Sequence, residues 1–579
     1  MKVADYIVEF FIEKGITDVF GYPGGMVTHL MDSFAKYQNK IKAHVTYHEQ
    51  GAAFAACGYA QVSGKPGVAY STSGPGATNL ITGICNSFFD SIPTIFITGQ
   101  VNLQEAKGNY LVRQRGFQET DIVSIVKPVT KYARYIDSKE SLITSLDEAY
   151  KIAVSGRMGP VLLDVPMNIF KEDISTSSLN CLKKTETTSA DGTLNNDIVA
   201  ILERELNSSK CPCLIVGNGV KISNTGDKIR TFANKYKIPV VTSMIAFDVL
   251  QNDDFNYGFI GAYGSRVANF IVAKSDLIIS VGSRLDIRQV GKNRDNFAPN
   301  AKIIRFDVDQ GELDYAVHSD EIHFCVEMKE IADIWNFINV KRNYSLWITV
   351  CDKIKSLLST VDYNHISNVV STISEFVPGN SVITTDVGQN QVWVAQSFRL
   401  KYGQKVLFSG GHGAMGYSLP AAIGACLASG GKMTVCFSGD GGLQMNIQEL
   451  QFIAREKLPI KIIVFNNNSL GMIRHFQEMY FKKLYFQTKP EGGYTAPDFK
   501  KVACAYGIES IQFDSKNIVN EIDVVKHFFE TDCPSLLEII IDEDTYVVPK
   551  LQFGKPNQDQ EPPIDRDLYK DIMNLKLDE

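Results

Sequence analysis

The stretch Phe437-Ser438-Gly439-Asp440-Gly441-Gly442 ends an apolar run on a glycine turn bearing an acid. The next apolar run, Ile460 to Phe465, ends on Asn466-Asn467-Asn468-Ser469. Strands of a parallel α/β sheet present such turns at their carboxyl ends, where ligands bind. Asp440, the side-chain oxygen of Asn467 and the carbonyl of Ser469 make three hard oxygen donors. Mg2+ completes its octahedron with phosphate oxygens and water around a set of that kind. Gly439, Gly441 and Gly442 let phosphate oxygens come close to the backbone. The chemistry this spacing supports is a diphosphate held through a divalent cation.

A second constellation lies near the other end of the chain. Val45-Thr46-Tyr47-His48-Glu49-Gln50-Gly51-Ala52 sets Glu49 at a strand end, with a helix of small residues after it. A carboxylate packed among apolar neighbours there suits proton exchange near neutrality. The plainer alternative is a helix N-terminal acid facing the dipole in water. Two more glycine turns follow strands in this block. Gly21-Tyr22-Pro23-Gly24-Gly25 comes after Val19-Phe20, and Thr72-Ser73-Gly74-Pro75-Gly76-Ala77-Thr78-Asn79 after Val68–Ser71. Both expose backbone N–H groups at the start of a helix, where an anion or a polar ring can dock. Three such strand ends in one block point to a cleft.

Turns of this kind need sheets behind them. A chain of 579 residues has room for three or four domains. Its 44% hydrophobic and 21% charged residues describe an ordinary globular protein, and a net charge of −7 gives no reason to expect nucleic acid or an anionic membrane as a partner. Met1 to Glu13 reads as an amphipathic helix and lacks the pattern of a signal or transit peptide. Gly410 to Gly431 is weakly polar but carries Pro420 and repeated glycines, so it reads as a turn leading into a buried helix and not as a membrane span. Of the eleven cysteines, Cys57, Cys85, Cys426 and Cys436 sit in apolar segments, and Cys211-Pro212-Cys213 lacks metal-ligand spacing. Reduced thiols and a cytoplasmic location are expected.

Apolar runs alternate with helical patterns throughout, the mark of doubly wound parallel α/β domains. The first block spans 1–170, with strands at Asp18–Phe20, Ala43–Tyr47, Gly67–Thr72, Thr94–Thr98 and Val161–Val165. Residues 171–196, rich in Ser, Thr, Asp and Asn over Ser175 to Asn196, read as a linker. A central block spans 197–345, with strands at Cys213–Val216, Pro239–Thr242, Leu277–Val281 and Lys302–Asp307. The third block, 365–546, has strands at Ser381–Thr385, Lys405–Phe408, Met433–Phe437, Lys461–Phe465 and Ser535–Ile541, and matches the first in size and rhythm. The tail, 547–579, holds a polar extended segment around Lys555 to Pro563 and a short helix from Asp567 to Leu575, and reads as a chain end draped over the surface.

Taken in order, these motifs resemble those of thiamine-diphosphate enzymes of the acetohydroxyacid synthase (acetolactate synthase) group. The resemblance runs from Val19 to about Pro549. It is carried by Phe20–Gly25, His48–Ala52, Thr72–Asn79, Thr98-Gly99-Gln100-Val101, Phe117-Gln118-Glu119, Gly413–Ala425 and the Gly439–Asn467 diphosphate motif. It implies that Glu49 hydrogen-bonds the aminopyrimidine ring and favours the imine that removes the thiazolium C2 proton. Met415 corresponds to the residue wedged between the two rings. Asp440, Asn467 and the Ser469 carbonyl resemble the Mg2+ ligands, while Pro23, Gly24, Thr72, Asn79, Gly413 and Met472 fall at cofactor-binding positions. Gly25, Phe117 and Gln118 fall beside the reacting centre. The resemblance further implies a structural FAD at Gly217, Gly219, Gly282, Arg284, Arg288, Asp307 and Asp309. It also implies a homodimer or homotetramer in which Glu49 and Asp440 meet across a subunit interface. It is silent on a regulatory subunit.

The acceptor side departs from the family. Phe117, Gln118 and Arg288 are kept, and Arg288 is suited to pairing with an acceptor carboxylate. Phe476 stands where biosynthetic synthases carry tryptophan, Ala262 where they carry methionine, Met167 where they carry lysine, and His412 where leucine is usual. Loss of volume at Phe476 and Ala262 widens the expected pocket. The expected activity is that of a carboligase that decarboxylates pyruvate and transfers the two-carbon unit to a second carbonyl compound, as acetolactate synthase does. A second reading sends that unit to a larger ketone such as a nucleotide-linked ketosugar. A third, simple 2-oxo acid decarboxylation, is disfavoured by Phe117, Gln118 and Arg288.

Overall fold

The computed structural model describes residues 1–174, 193–251, 253–362 and 364–577. Most of the expected linker lies outside these. The chain forms two compact units, carrying between them three parallel six-stranded sheets, each with its own set of helices.

The first unit combines residues 1–174 with Phe376–Gln391 and Lys405–Thr545 and holds two of the sheets. One contains β1 (Asp18–Gly21), β2 (Lys42–Val45), β3 (Gly67–Ser71), β4 (Thr94–Gln100), β5 (Tyr132–Tyr135) and β6 (Pro160–Pro166), in the order β2-β1-β3-β4-β6-β5. The other contains β13 (Val382–Thr385), β14 (Lys405–Leu407), β15 (Thr434–Gly439), β16 (Ile460–Asn466), β17 (Glu509–Asp514) and β18 (Ser535–Ile540), in the order β14-β13-β15-β16-β18-β17. Counted from the first strand of each, the two orders are identical. Their central strands are buried on both faces and therefore read as apolar runs. Lys461 is the exception in β16. It is buried there because its ammonium donates to Thr531 Oγ1, the Cys533 carbonyl and Ser535 Oγ.

Two helices of small residues pack against each other in this unit, Glu49–Ser63 and Ser418–Ala428. Gly58 sits against the Ala421 backbone and Gly424 against the Ala55 carbonyl, approaches that a β-carbon would block. The first helix begins at Glu49 and stops at Gly64, whose φ of +69° ends the turn in the left-handed region.

The second unit takes in the described residues of 193–375 with Val392–Gln404 and 546–577. Its sheet contains β7 (Pro212–Val216), β8 (Val240–Thr242), β9 (Asn256–Phe259), β10 (Leu277–Val281), β11 (Lys302–Asp307) and β12 (Ile322–Cys325), in the order β12-β11-β10-β7-β8-β9. Counted within the sheet this is 6-5-4-1-2-3, the order of dinucleotide-binding folds, with the switch point between β7 and β10. The tail belongs to this unit. Its helix is Arg566–Asn574, but the polar segment before it is no loose surface strand, since Asn557, Gln558 and Gln560 are buried. Burial is possible because the side chains are used on backbone: Asn557 donates to the Gln289 carbonyl and Gln560 to that of Gly264. Arg266, also buried, pairs with Asp362 and donates to the carbonyls of Gln560 and Pro562.

Candidate active site

In the first sheet the turns after β1 and β3 stand at the switch point of the strand order, and the turn after β2 stands beside them. Glu49 opens its helix behind His48, whose Nδ1 accepts the Gln50 N–H at 3.0 Å. Glu49 is 8% exposed, so it is not a helix N-terminal acid standing in open water. Asn79 Nδ2 donates to Glu49 Oε2 at 2.9 Å, and Gly76 lies against the other oxygen. Thr72 Oγ1 accepts the Met26 N–H at 3.3 Å, tying the Pro23-Gly24-Gly25 turn to the Thr72–Asn79 turn. Gln118, at a φ of +63°, packs on Gly74 of that turn. Phe117 beside it is exposed. The loop before them is held by Glu119, whose carboxylate accepts the backbone N–H groups of Lys107, Arg115 and Gly116, bonds that outweigh burial and keep it below the usual carboxylate range.

In the third sheet, β15 leads into the helix Asp440–Met445 and β16 into the Asn467–Ser469 turn. The Ser469 N–H lies 3.0 Å from Asp440 Oδ2 and 3.1 Å from Asn467 Oδ1, so one donor draws both expected metal ligands together. The Ser469 carbonyl accepts the Gly471 N–H at 2.9 Å and keeps a second lone pair. Burial pushes the Asp440 carboxyl up to about 7 despite donation from Gly441 and Ser469. A desolvated carboxylate beside an amide oxygen and a carbonyl is a donor set that a hard divalent cation fits, since the ion supplies the missing charge. Among the described residues no three His, Cys, Asp or Glu side chains gather as a metal cluster. The Met415 methyl lies beside Gly441, joined there by Leu470 and the Tyr494 hydroxyl. Gly413 precedes Met415 at a φ of +67°, and Met472 lies in the first turn of the helix Gly471–Tyr480.

Several residues of this half escape a reading of sequence spacing. The turn after β13, at the second switch point, supplies Gln389, whose side-chain oxygen accepts from Asn467 Nδ2 at 3.2 Å, and Asn390, which sits against Gly439. Asp386, fully buried, accepts from the Gly416 and Ser418 N–H groups and fixes the loop that carries Met415. A polar Asp386-Val387-Gly388-Gln389-Asn390 turn after an apolar strand was the available signal. Tyr494 comes from a loop with no such mark.

The expected acceptor and flavin positions divide between the units. In the second unit, the Ala262 N–H donates to the Arg288 carbonyl at 2.8 Å, bringing these two together, and Arg288 is exposed with its guanidinium 5.9 Å from the Tyr263 ring. The ends of β8, β7, β10 and β11 adjoin, through Ser243 N–H to Val216, Gly217 N–H to Val281 and Gly282 N–H to Phe306. There the Thr242 and Ser243 hydroxyls are buried without partners, as groups awaiting a polar ligand would be. Gly217 and Gly219 are also needed simply to pack on the Gly282 turn. Arg284 pairs with Asp286, and Asp307 and Asp309 accept the N–H groups of Asp309 and Gly311. In the first unit, His412 stacks on Phe89 at 5.6 Å, and Phe476 packs on Tyr480 and Phe481.

Models of the thiamine pyrophosphate enzyme family match three stretches of the chain: the N-terminal TPP binding domain over residues 1–125, the central domain over 199–333 and the C-terminal TPP binding domain over 386–539. The chain is similar to the acetolactate synthase large subunit of Lactococcus lactis, 35% identical over 95% of this chain and 94% of that one. It is similar to the isozyme 2 large subunit of Escherichia coli at 34% identity, over 96% of this chain and 99% of that one. The chloroplastic acetolactate synthase 1 of rice is 33% identical over 96% and 86% respectively.

Proposed function

We propose a division of labour for this chain, which belongs to the thiamine-diphosphate enzymes of the acetolactate synthase large-subunit family. The chain is a thiamine-diphosphate-dependent enzyme that decarboxylates pyruvate and forms a carbon–carbon bond with the two-carbon unit that remains. When bound, thiamine diphosphate would supply an acidic ring carbon, nucleophilic toward the 2-oxo acid once deprotonated, and a ring that serves as electron sink for decarboxylation. Asp440, Asn467 and the Ser469 carbonyl hold Mg2+ against the diphosphate. Glu49, oriented by Asn79, holds and returns the proton on the aminopyrimidine ring. Met415 would pack against the two rings, and Gln118 with Phe117 would face the reacting centre. The joint approach of Asp440 Oδ2 and Asn467 Oδ1 to the Ser469 N–H is the observation that carries the diphosphate half.

FAD in the central sheet is part of the proposal, supported by the partnerless Thr242 and Ser243 hydroxyls at the strand ends. The flavin is structural, because decarboxylation followed by ligation is redox-neutral. The proposed assembly is a homodimer or homotetramer with Glu49 and Asp440 meeting across the subunit interface. The relatives are named large subunits, which supports a smaller companion subunit for this chain. No helix among the described residues is long and apolar enough to cross a membrane.

The acceptor is a second 2-oxo acid in the first reading, giving acetolactate from two pyruvates. The short side chain of Ala262 beside an exposed Arg288 favours a second reading, a larger anionic ketone such as a nucleotide-linked ketosugar. Purified protein with pyruvate, Mg2+ and thiamine diphosphate should yield acetolactate in the first case. Slow self-coupling that accelerates when a ketosugar nucleotide is added supports the second. Acetaldehyde and carbon dioxide alone would refute both and leave a decarboxylase.

A further inference from the structure

Nine residues beyond Asp440, the chain turns through Ile447–Glu449 into the helix Leu450–Glu456. Glu449 is fully buried, and its side chain reaches not back into the third sheet but across to the segment that carries Glu49. Glu449 Oε1 accepts the Tyr47 N–H at 2.9 Å, and Glu449 Oε2 is buried without a partner. A β-carbon on Gly51 would stand 2.5 Å from Oε1, so this carboxyl also dictates the residue two places past Glu49. The same stretch grips both sides of Glu49. Asn446 Nδ2 donates to Gln50 Oε1 at 3.1 Å, while Arg455 donates to the Val45 carbonyl at 3.1 Å and to the Tyr47 hydroxyl at 3.2 Å.

Resting on the reading of Glu49 as the ring-activating acid, we infer that Glu449 is a positioning residue, which fixes the strand-to-helix turn from Tyr47 to Gly51 and thereby the aim of the Glu49 carboxylate. A carboxylate that must meet one ring nitrogen has little latitude, because displacement by about 1 Å costs on the order of a hundredfold in rate. Glu49 stands at the first residue of its helix, where the chain has the fewest helical hydrogen bonds to hold it. Glu449 replaces that missing restraint. Burial pushes its carboxyl up to about 7, against the Tyr47 and His48 N–H groups that lower it. The oxygen on Tyr47 is thus an acceptor in either protonation state, and a glutamine oxygen can take its place.

The test compares the full chain with E449A, E449Q and E49Q. In ligand-free protein, amide hydrogen exchange over the peptide spanning Tyr47 to Gly51 should accelerate about tenfold or more in E449A and stay near the parent value in E449Q. With thiamine diphosphate and Mg2+, exchange of the cofactor C2 proton for deuterium should fall about tenfold to a hundredfold in E449A and recover in E449Q, while cofactor affinity moves less than about threefold. Unchanged protection in E449A overturns the inference, as does lost protection with normal C2 exchange, or a glutamine variant as poor as alanine. If E49Q also leaves C2 exchange intact, the reading of Glu49 falls first. If E49Q abolishes exchange and E449A does not touch it, only the role of Glu449 falls. Should E449A fail to fold, E449D withdraws the carboxyl by one methylene and carries the same expectations.

Discussion

Replacing Gly424 by alanine tests whether the seat of the helix that begins at Glu49 is set by backbone contact. A β-carbon there would lie 2.7 Å from the Ala55 carbonyl carbon and 2.8 Å from Tyr59 N, and nearer still to the Ala55 carbonyl oxygen. Carbon contacts relax at about 3.5–4.0 Å, so the helices Glu49–Ser63 and Ser418–Ala428 must part by about 1 Å. No rotamer can absorb this, because every clashing atom is backbone. Overpacking of this kind costs about 1–3 kcal/mol. The larger effect falls on chemistry, because the first helix begins at Glu49 and carries that carboxylate with it when it shifts. About 1 Å of relative displacement predicts roughly a hundredfold loss in kcat. Thermal unfolding measures the first effect and steady-state pyruvate consumption the second. A G424A protein with parental Tm and parental turnover would show that the seam does not position Glu49. A fall in Tm with unchanged kcat would show that it matters for stability alone.

Asp440→Asn removes the charged donor of the proposed metal set. The expected loss is about 3 kcal/mol, roughly a hundredfold, in Mg2+-dependent binding of thiamine diphosphate by calorimetry, with little change in folding. Asp164 is buried against Thr98 Oγ1 and Gln100 Nε2, and burial pushes its carboxyl up to about 7 from 3.8. Between about pH 4 and 7 the folded chain therefore keeps a proton that the unfolded chain has lost, and stability falls as pH rises through that window. In denaturant titrations Asp164→Asn should be neutral near pH 4 and stabilising by a few kcal/mol, in order of magnitude, at pH 8; a gain independent of pH would contradict this. Arg266→Met breaks the pair of a buried guanidinium with half-buried Asp362 and frees the Gln560 and Pro562 carbonyls. It should destabilise the docked tail by about 1–3 kcal/mol, read as faster proteolysis after Lys555.

The strands missing from the sequence reading share one property. β5, β9, β12 and β17 each stand at the edge of a sheet. Tyr132–Tyr135 and Glu509–Asp514 are largely half-buried or exposed, so they need no apolar run and show none. Central strands such as Leu277–Val281 are covered on both faces and were legible end to end. Around the site, the Asp440 and Asn467 turns were visible because each closes an apolar strand with polar or glycine residues, and the Glu49 turn, which follows the half-buried edge strand Lys42–Val45, through the helix of small residues after it. Glu449, Asn446 and Arg455 were not, because their partners lie some four hundred residues earlier and no local spacing records such a meeting. Nor was the burial of the tail, which depends on side-chain amides finding backbone carbonyls at Gly264 and Gln289.

The first and third sheets share one strand order but not one chemistry. In the first, the carboxylate follows the second strand and leans on the amide of Asn79. In the third, the carboxylate follows the third strand and faces the amide turn after the fourth. In the proposed division of labour one sheet offers an acid to exchange a proton and the other an acid to hold a cation, and neither set performs both tasks. A cofactor with a basic ring at one end and a diphosphate at the other needs both sets at a fixed separation. With the Glu49 set of one protomer proposed to meet the Asp440 set of its partner, each protomer lends one set to each of two sites, and its own halves are kept in register by backbone and buried polar groups, with Gly424 on Ala55 and Glu449 on Tyr47. Apolar packing alone would hold the halves together but leave their register free to slide, whereas a carboxyl docked on one named N–H does not slide without losing its bond.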